Sequence, residues 1–161
     1  MEASVVLLPK LKLVGLKVVG RRSELSHRVP LAWTDLVRCV SQMSNRVDPD
    51  VFYGAFPESD HLNDGTHGVY TYFVCTEVTE HSRVPEGMIP LEIPPQRCVR
   101  TRVQGTAEAI DAAYMGLFRW VGEQGMRTNQ KGWGLERYDQ RLQKVTPPYE
   151  RFDYDILKPV E

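Results

Sequence analysis

Apolar and polar positions set up a short-period, then long-period rhythm that runs along the chain twice. "KLKLVGLKVVG" (residues 10–20) has the Val/Leu content of a strand and ends at a glycine. Trp33, Leu36, Val37, Val40 and Met43 then recur at helical spacing, and Pro30 suits the first turn of that helix. "VFYGAF" (51–56) and "GVYTYFVCTEV" (68–78) predict two strands flanking the polar loop "PESDHLNDGTH". "VPEGMIPLEIPP" (84–95) carries too many prolines for a helix or a central strand and reads as linker. The rhythm then restarts. "RCVRTRVQG" (97–105) predicts a strand ending in glycine, and Thr106 suits an N-cap with Glu108 and Asp111 in the first turn. Ile110, Tyr114, Leu117, Phe118 and Val121 form the second helical stripe. "GWGLERYD" and "RFDYDILKPV" (151–160) close the order as strands.

The two passes share motifs in the same order. Val14-x-x-Lys17-Val18-x-Gly20 mirrors Val99-x-x-Arg102-Val103-x-Gly105, "LVRCV" (36–40) mirrors "LFRWV" (117–121), and "YGAF" (53–56) mirrors "WGLE" (133–136). The expected fold class is therefore α+β: duplicated β-α-β-β units with pseudo-twofold symmetry, an antiparallel sheet and two long helices. The domain is expected to span 1–161, with half one over 10–78, a linker over 79–96 and half two over 97–160. A unit of this size leaves one side of its sheet poorly covered. Pairing two of them buries a common core and makes the seam a natural cleft.

One position breaks the duplication. In "KGWGLERYDQR" (131–141), period two puts Gly134, Glu136 and Tyr138 on one face and Trp133, Leu135, Arg137 and Asp139 on the other. Glu136 thus shares its face with a phenol and a residue lacking a side chain, and its mate in half one is Phe56. A carboxylate there is either solvent-facing or arginine-paired, or it floors a ligand site. Aromatics at helical spacing are commonly core. Phe118 is expected inside, Trp33 and Tyr114 serve either role, and Trp120 lies off the apolar stripe and so points to the cleft.

Charge and cysteine content narrow the function classes. With a net charge of −1 and no Lys/Arg block, the chain has no field to attract nucleic acid or an anionic membrane. Cys39, Cys75 and Cys98 match neither a disulfide framework nor a metal motif, so reduced thiols and a cytoplasmic location are expected. The start "MEASVVLLPK" fails as a signal peptide, and no apolar run suits a membrane span. Asp60, His61, Asp64 and His67 crowd one loop, but their spacing fits no zinc or calcium pattern, so no metal or cofactor is expected. No G-x-S-x-G is present.

These motifs together resemble the GyrI-like small-molecule-binding domains, also called AraC-type effector-binding domains. The resemblance runs through most of the chain. It is carried by "PLAWTDL", "YTYFVCTEV", "VPEGMIPLEIPPQRCVRTRVQG", "AYMGLFRWV" and "GLERYD", the last similar to the family's apolar-Glu-x-Tyr hallmark. Cys75 stands where the family commonly has glycine, and "PPQRC" replaces its usual glycine and aromatic. The resemblance implies a bacterial binding domain whose cleft takes amphiphilic, often cationic aromatic compounds. Glu136 would sit at its base, with Tyr138, Trp120, Tyr114, Tyr72, Phe56 and Trp33 as candidate walls. Three roles follow from it. The domain sequesters or senses such compounds. Alternatively it hydrolyses strained alkylating compounds with Glu136 and Tyr138 as catalytic residues, or it protects a protein target such as DNA gyrase or serves a transcription factor. No DNA-binding segment is evident, so a complete transcription factor is not expected.

Overall fold

The computed structural model describes residues 1–62 and 68–161. Eight strands form one antiparallel sheet. They are β1 (Ala3–Leu8), β2 (Leu11–Gly20), β3 (Val51–Pro57), β4 (Tyr70–Glu77), β5 (Ile89–Ile93), β6 (Gln96–Gly105), β7 (Trp133–Asp139) and β8 (Phe152–Pro159). Two long helices, α1 (Arg22–Val40) and α3 (Ala107–Glu123), follow β2 and β6, and the short α2 (Glu58–Leu62) follows β3. The spatial order β1-β6-β8-β7-β3-β4-β2-β5 is palindromic about the central β7–β3 pair. Each half contributes the triplet of its own β-α-β-β unit, so the pseudo-twofold runs between β3 and β7.

Period two sorts the side chains to two faces. Val14, Val18, Phe52, Val74, Val99, Val103, Tyr138 and Ile156 turn to the helices, where they meet Trp33, Leu36 and Val40 of α1 and Leu117 and Val121 of α3. Leu13, Ala55, Phe73, Cys75, Cys98, Leu135 and Leu157 build a second core on the opposite face, from strands alone. On the helical face, α1 lies over β2 and β4 while α3 lies over β6 and β8. The central pair β7–β3 lies between the two helices, reached from α1 by Trp33, and the cleft opens above it.

Several details depart from the sequence expectations, among them strand β1, which the sequence reading did not predict. First, α1 starts at Arg22 with Pro30 inside it. Glu24 accepts from the Arg21 backbone N–H at 3.0 Å and so caps the true start. Second, the stretch read as linker contains β5, which pairs with β2 as the outermost strand. Pro90 is tolerated there because an edge strand has a side with no ladder to feed. Third, Thr106 occupies the N-cap of α3, yet its side chain makes no capping bond. Fourth, the two halves slip against each other. Tracing across the ladders from Gly20 leads through Tyr70 and Phe73 to Ala55, whereas the same path from Gly105 leads through Phe152 and Asp155 to Arg137. The match of the two terminal glycines and the match of "YGAF" with "WGLE" are thus offset by two residues. An even slip keeps every side chain on its own face, so the duplication tolerates it.

A buried ion pair ties the halves together. Lys158 of β8 donates to Glu58, the first residue of α2, and both side chains are almost fully buried. Phe118, expected in the core, is instead half exposed, with its ring 4.3 Å from the Lys158 ammonium. Among the described residues no helix is long and apolar enough to cross a membrane.

Candidate functional site

The site begins with two glycines on the central strand pair, each opposite a large side chain. In the β3–β7 ladder Gly54 pairs with Glu136, and Phe56 pairs with Gly134. Each glycine leaves the space that its neighbours' side chains occupy. A Cβ on Gly54 would fall 1.8 Å from the Tyr72 hydroxyl and 3.2 Å from Glu136 Oε1, and one on Gly134 would fall 2.3 Å from the Phe56 ring. These are the close approaches for which glycine is needed.

Three phenols converge on the Glu136 carboxylate. Tyr72 of β4 donates to Oε1 at 2.5 Å, Tyr114 of α3 donates to Oε2 at 2.8 Å, and Tyr138 approaches Oε1 at 3.3 Å. Burial, and then the adjacent Glu136 charge, push all three hydroxyls well above the ordinary phenol range. They therefore stay protonated and serve as donors. Hydrogen bonding stabilises the carboxylate but does not neutralise it. Among the described residues no Lys, Arg or His lies within ion-pair distance of Glu136.

Glu136 and Tyr72 form the waist between two adjoining cavities. The first, of about 210 Å³, is walled by Phe56, His61, Tyr70 and Tyr114, with Arg22, Leu25 and Asp60 also lining it. Phe56 stacks with Tyr72 at 6.2 Å, and His61 sets its ring edgewise to Phe56 at 5.5 Å and to Tyr114 at 5.0 Å. The second cavity, of about 300 Å³, is lined by Trp33, Tyr138, Tyr149, Phe152 and Tyr154. Tyr138 stacks on Tyr154 at 4.6 Å and meets Trp33 edgewise at 5.6 Å.

Six of the seven residues expected at the site come together here: Glu136, Tyr138, Tyr114, Tyr72, Phe56 and Trp33. Trp33 does so as a core residue, 3% exposed, that shows the cavity only part of its ring. Trp120 does not join them and packs against the helical-face core. Six residues of α-helix carry it about 9 Å along the axis from Tyr114 and onto a different face. Leaving the apolar stripe was therefore no sign of entering the cleft.

Sequence reasoning missed Arg22, because the helix was expected to begin at Pro30, and missed Tyr154 and Phe152. These last two share a face of β8 by simple alternation, and that signal could have found them. His61 drew notice as a loop residue with metal-binding neighbours, but its role is in the cavity wall. Among the described residues no group of three His, Cys, Asp or Glu is placed to hold a metal ion, and Asp64 and His67 lie outside those residues.

Two measurable consequences follow. Gly54→Ala forces the Tyr72 ring off Glu136, so it should cost about 1–3 kcal/mol of stability as overpacking and weaken binding of any ligand that the adjoining cavities take. Denaturant unfolding and ligand titration of the same sample check both, and a variant that melts like the parent would mean the ring yields freely. His61 supplies the second. Burial, then the charges of Lys158 and Arg22, hold its imidazole below the ordinary histidine range. It is neutral at pH 7, and acidification places a positive charge in the cavity wall. A cationic probe should therefore bind this cavity less well as pH falls through the range below the ordinary histidine value. The profile in His61→Asn should be flatter, as measured by titration across that range.

Comparison with known proteins adds a family and a fold. Residues 4–160 match the Cass2 family, described as integron-associated effector binding protein. The transcriptional regulator BrlR of Pseudomonas aeruginosa is 26% identical over 157 residues, which make up 97% of this chain and 55% of BrlR. The chain thus spans about half the length of that relative. The structure of SAV2435 bound to tetraphenylphosphonium aligns with a TM-score of 0.67 at 14% identity, covering 100% of this chain and 94% of that one. A hydrolase from Listeria innocua aligns with a TM-score of 0.57 at 10% identity, covering 99% of this chain and 92% of that one. At these identities the structural likenesses establish a shared fold.

Proposed function

The chain belongs to the Cass2 family of integron-associated effector binding proteins, a small-molecule-binding type of effector domain, and we propose that its cleft takes lipophilic aromatic cations with Glu136 as their counter-charge. One observation carries this reading. The Glu136 carboxylate sits at the waist of an aromatic-walled cleft, held by phenol hydroxyls and without a basic partner among the described residues. A carboxylate withdrawn from water is costly until a cation joins it. A ligand cation relieves that cost, and each ring it faces adds roughly 0.5–2 kcal/mol of cation–π attraction.

The hydrogen-bond count refines the ligand class. Both Glu136 oxygens already accept from tyrosines. A ligand is therefore recognised by charge and ring shape more than by N–H donors, which favours diffuse or quaternary cations over primary amines. Tetraphenylphosphonium, the compound bound in the SAV2435 structure, has that chemistry. Sequestration of such a compound and signalling of its presence both begin with this binding step.

Two features favour binding over the hydrolytic alternative. Burial and the Glu136 charge make Tyr138 a weaker acid than free phenol, which opposes its use as a proton donor. Its 3.3 Å approach to Glu136 is also the longest of the three. The test is a titration, followed by intrinsic fluorescence, of tetraphenylphosphonium against the uncharged triphenylphosphine oxide. Saturable binding with a preference of about tenfold or more for the cation is expected, equivalent to about 1.4 kcal/mol. Equal affinities would remove the role assigned to the charge.

A further inference from the structure

The cleft carries charges of both signs. Besides Glu136 at the waist, the first cavity is lined by Arg22, an exposed residue at the start of α1. The Arg22 guanidinium sits 5.4 Å over the ring of Tyr70, another residue of the same wall. Among the described residues it has no carboxylate within ion-pair distance. The acid nearest in role is Asp60 on the same lining, and one of its oxygens is engaged by the Thr71 backbone N–H at 2.9 Å.

An arginine on the wall of a cation site works against a purely cationic ligand through like-charge repulsion. It works for a ligand that places an anion beside it. From this juxtaposition we infer that the first cavity is built for zwitterionic aromatic compounds: a delocalised cation over Glu136, with a carboxylate or similar anionic group turned outward to Arg22. This inference rests on the reading of Glu136 as counter-charge and adds the second pole. The planar guanidinium suits such a group, because it offers paired N–H donors to two carboxylate oxygens. The ring of Tyr70 beneath it holds the fork in place while the side chain stays hydrated.

A matched pair of dyes tests it: a xanthylium dye with a free carboxylate on its pendant ring, and the methyl ester of the same dye. Both carry the same delocalised cation and differ in the outer charge and one methyl group, so the ratio between them is read against Arg22→Gln. Binding is followed by fluorescence anisotropy at about pH 8, where histidine is neutral. The parent protein should prefer the carboxylate dye. Arg22→Gln should weaken that dye by about threefold to tenfold and tighten the ester, so that the preference reverses or vanishes. Arg22→Lys keeps the charge and should keep most of the preference. If Arg22→Gln shifts both dyes equally, shifts neither, or if neither dye binds the parent, the second pole is refuted. Glu136→Gln separates the two ideas. If it leaves the ester's affinity unchanged, the counter-charge reading fails, whereas the ratio between dyes in Arg22→Gln judges the outer pole.

Discussion

Glu136→Gln is expected to lower affinity for tetraphenylphosphonium by roughly 30- to 1,000-fold, or about 2–4 kcal/mol. The substitution keeps the shape of the side chain and one acceptor oxygen, so one of Tyr72 and Tyr114 keeps its acceptor while the other must turn its hydroxyl to receive from the new amide N–H. What disappears is the negative charge at the waist, while Asp60 stays on the lining of the first cavity. That charge is worth more here than at a surface because the carboxylate is half-buried among aromatic rings and phenols. The uncharged triphenylphosphine oxide should lose much less. Isothermal titration of both compounds against both proteins gives the coupling directly. Equal losses for charged and uncharged ligands would make Glu136 a packing or hydrogen-bonding residue only.

Lys158→Met should have the largest effect on stability, a loss of about 3–5 kcal/mol. Lys158 and Glu58 are 5% and 1% exposed as side chains, and the pair is isolated from solvent beneath Phe118. Removing the ammonium leaves a buried carboxylate without its partner, and α2, which Glu58 begins, carries the cavity residues Asp60 and His61. The double variant Lys158→Met/Glu58→Gln should recover most of the loss, because it removes the stranded charge together with its partner. Denaturant midpoints for the two single variants and the double variant form the cycle. A Lys158→Met protein within about 1 kcal/mol of the parent would show that water reaches Glu58.

Much of this architecture is legible in local pattern. The alternation around Trp133, Leu135 and Glu136 was enough to put Glu136 on one face with Gly134 and Tyr138. The helical recurrence of Leu117 and Val121 was enough to put the second helix on a core. Such patterns are short-range: φ/ψ preference and side-chain period are set within a few residues. Even β5 and the early start of α1 were obscured for local reasons, since Pro90 and Pro30 were read without knowing which strand is an edge or which turn precedes them.

The sequence by itself determined the two β-α-β-β passes, the faces of their strands, and the one carboxylate that breaks their symmetry. Tertiary structure alone decided what that carboxylate meets. Tyr72 and Tyr114 reach Glu136 from positions 64 and 22 residues away, and Lys158 reaches Glu58 from 100 residues away. It also decided that Trp120, on the same helix as Tyr114, turns elsewhere. The reason is physical: the period of an element tells which side chains share a face. Which faces meet depends on ladder register and on where each helix crosses the sheet, and both are settled by burying the whole core at once.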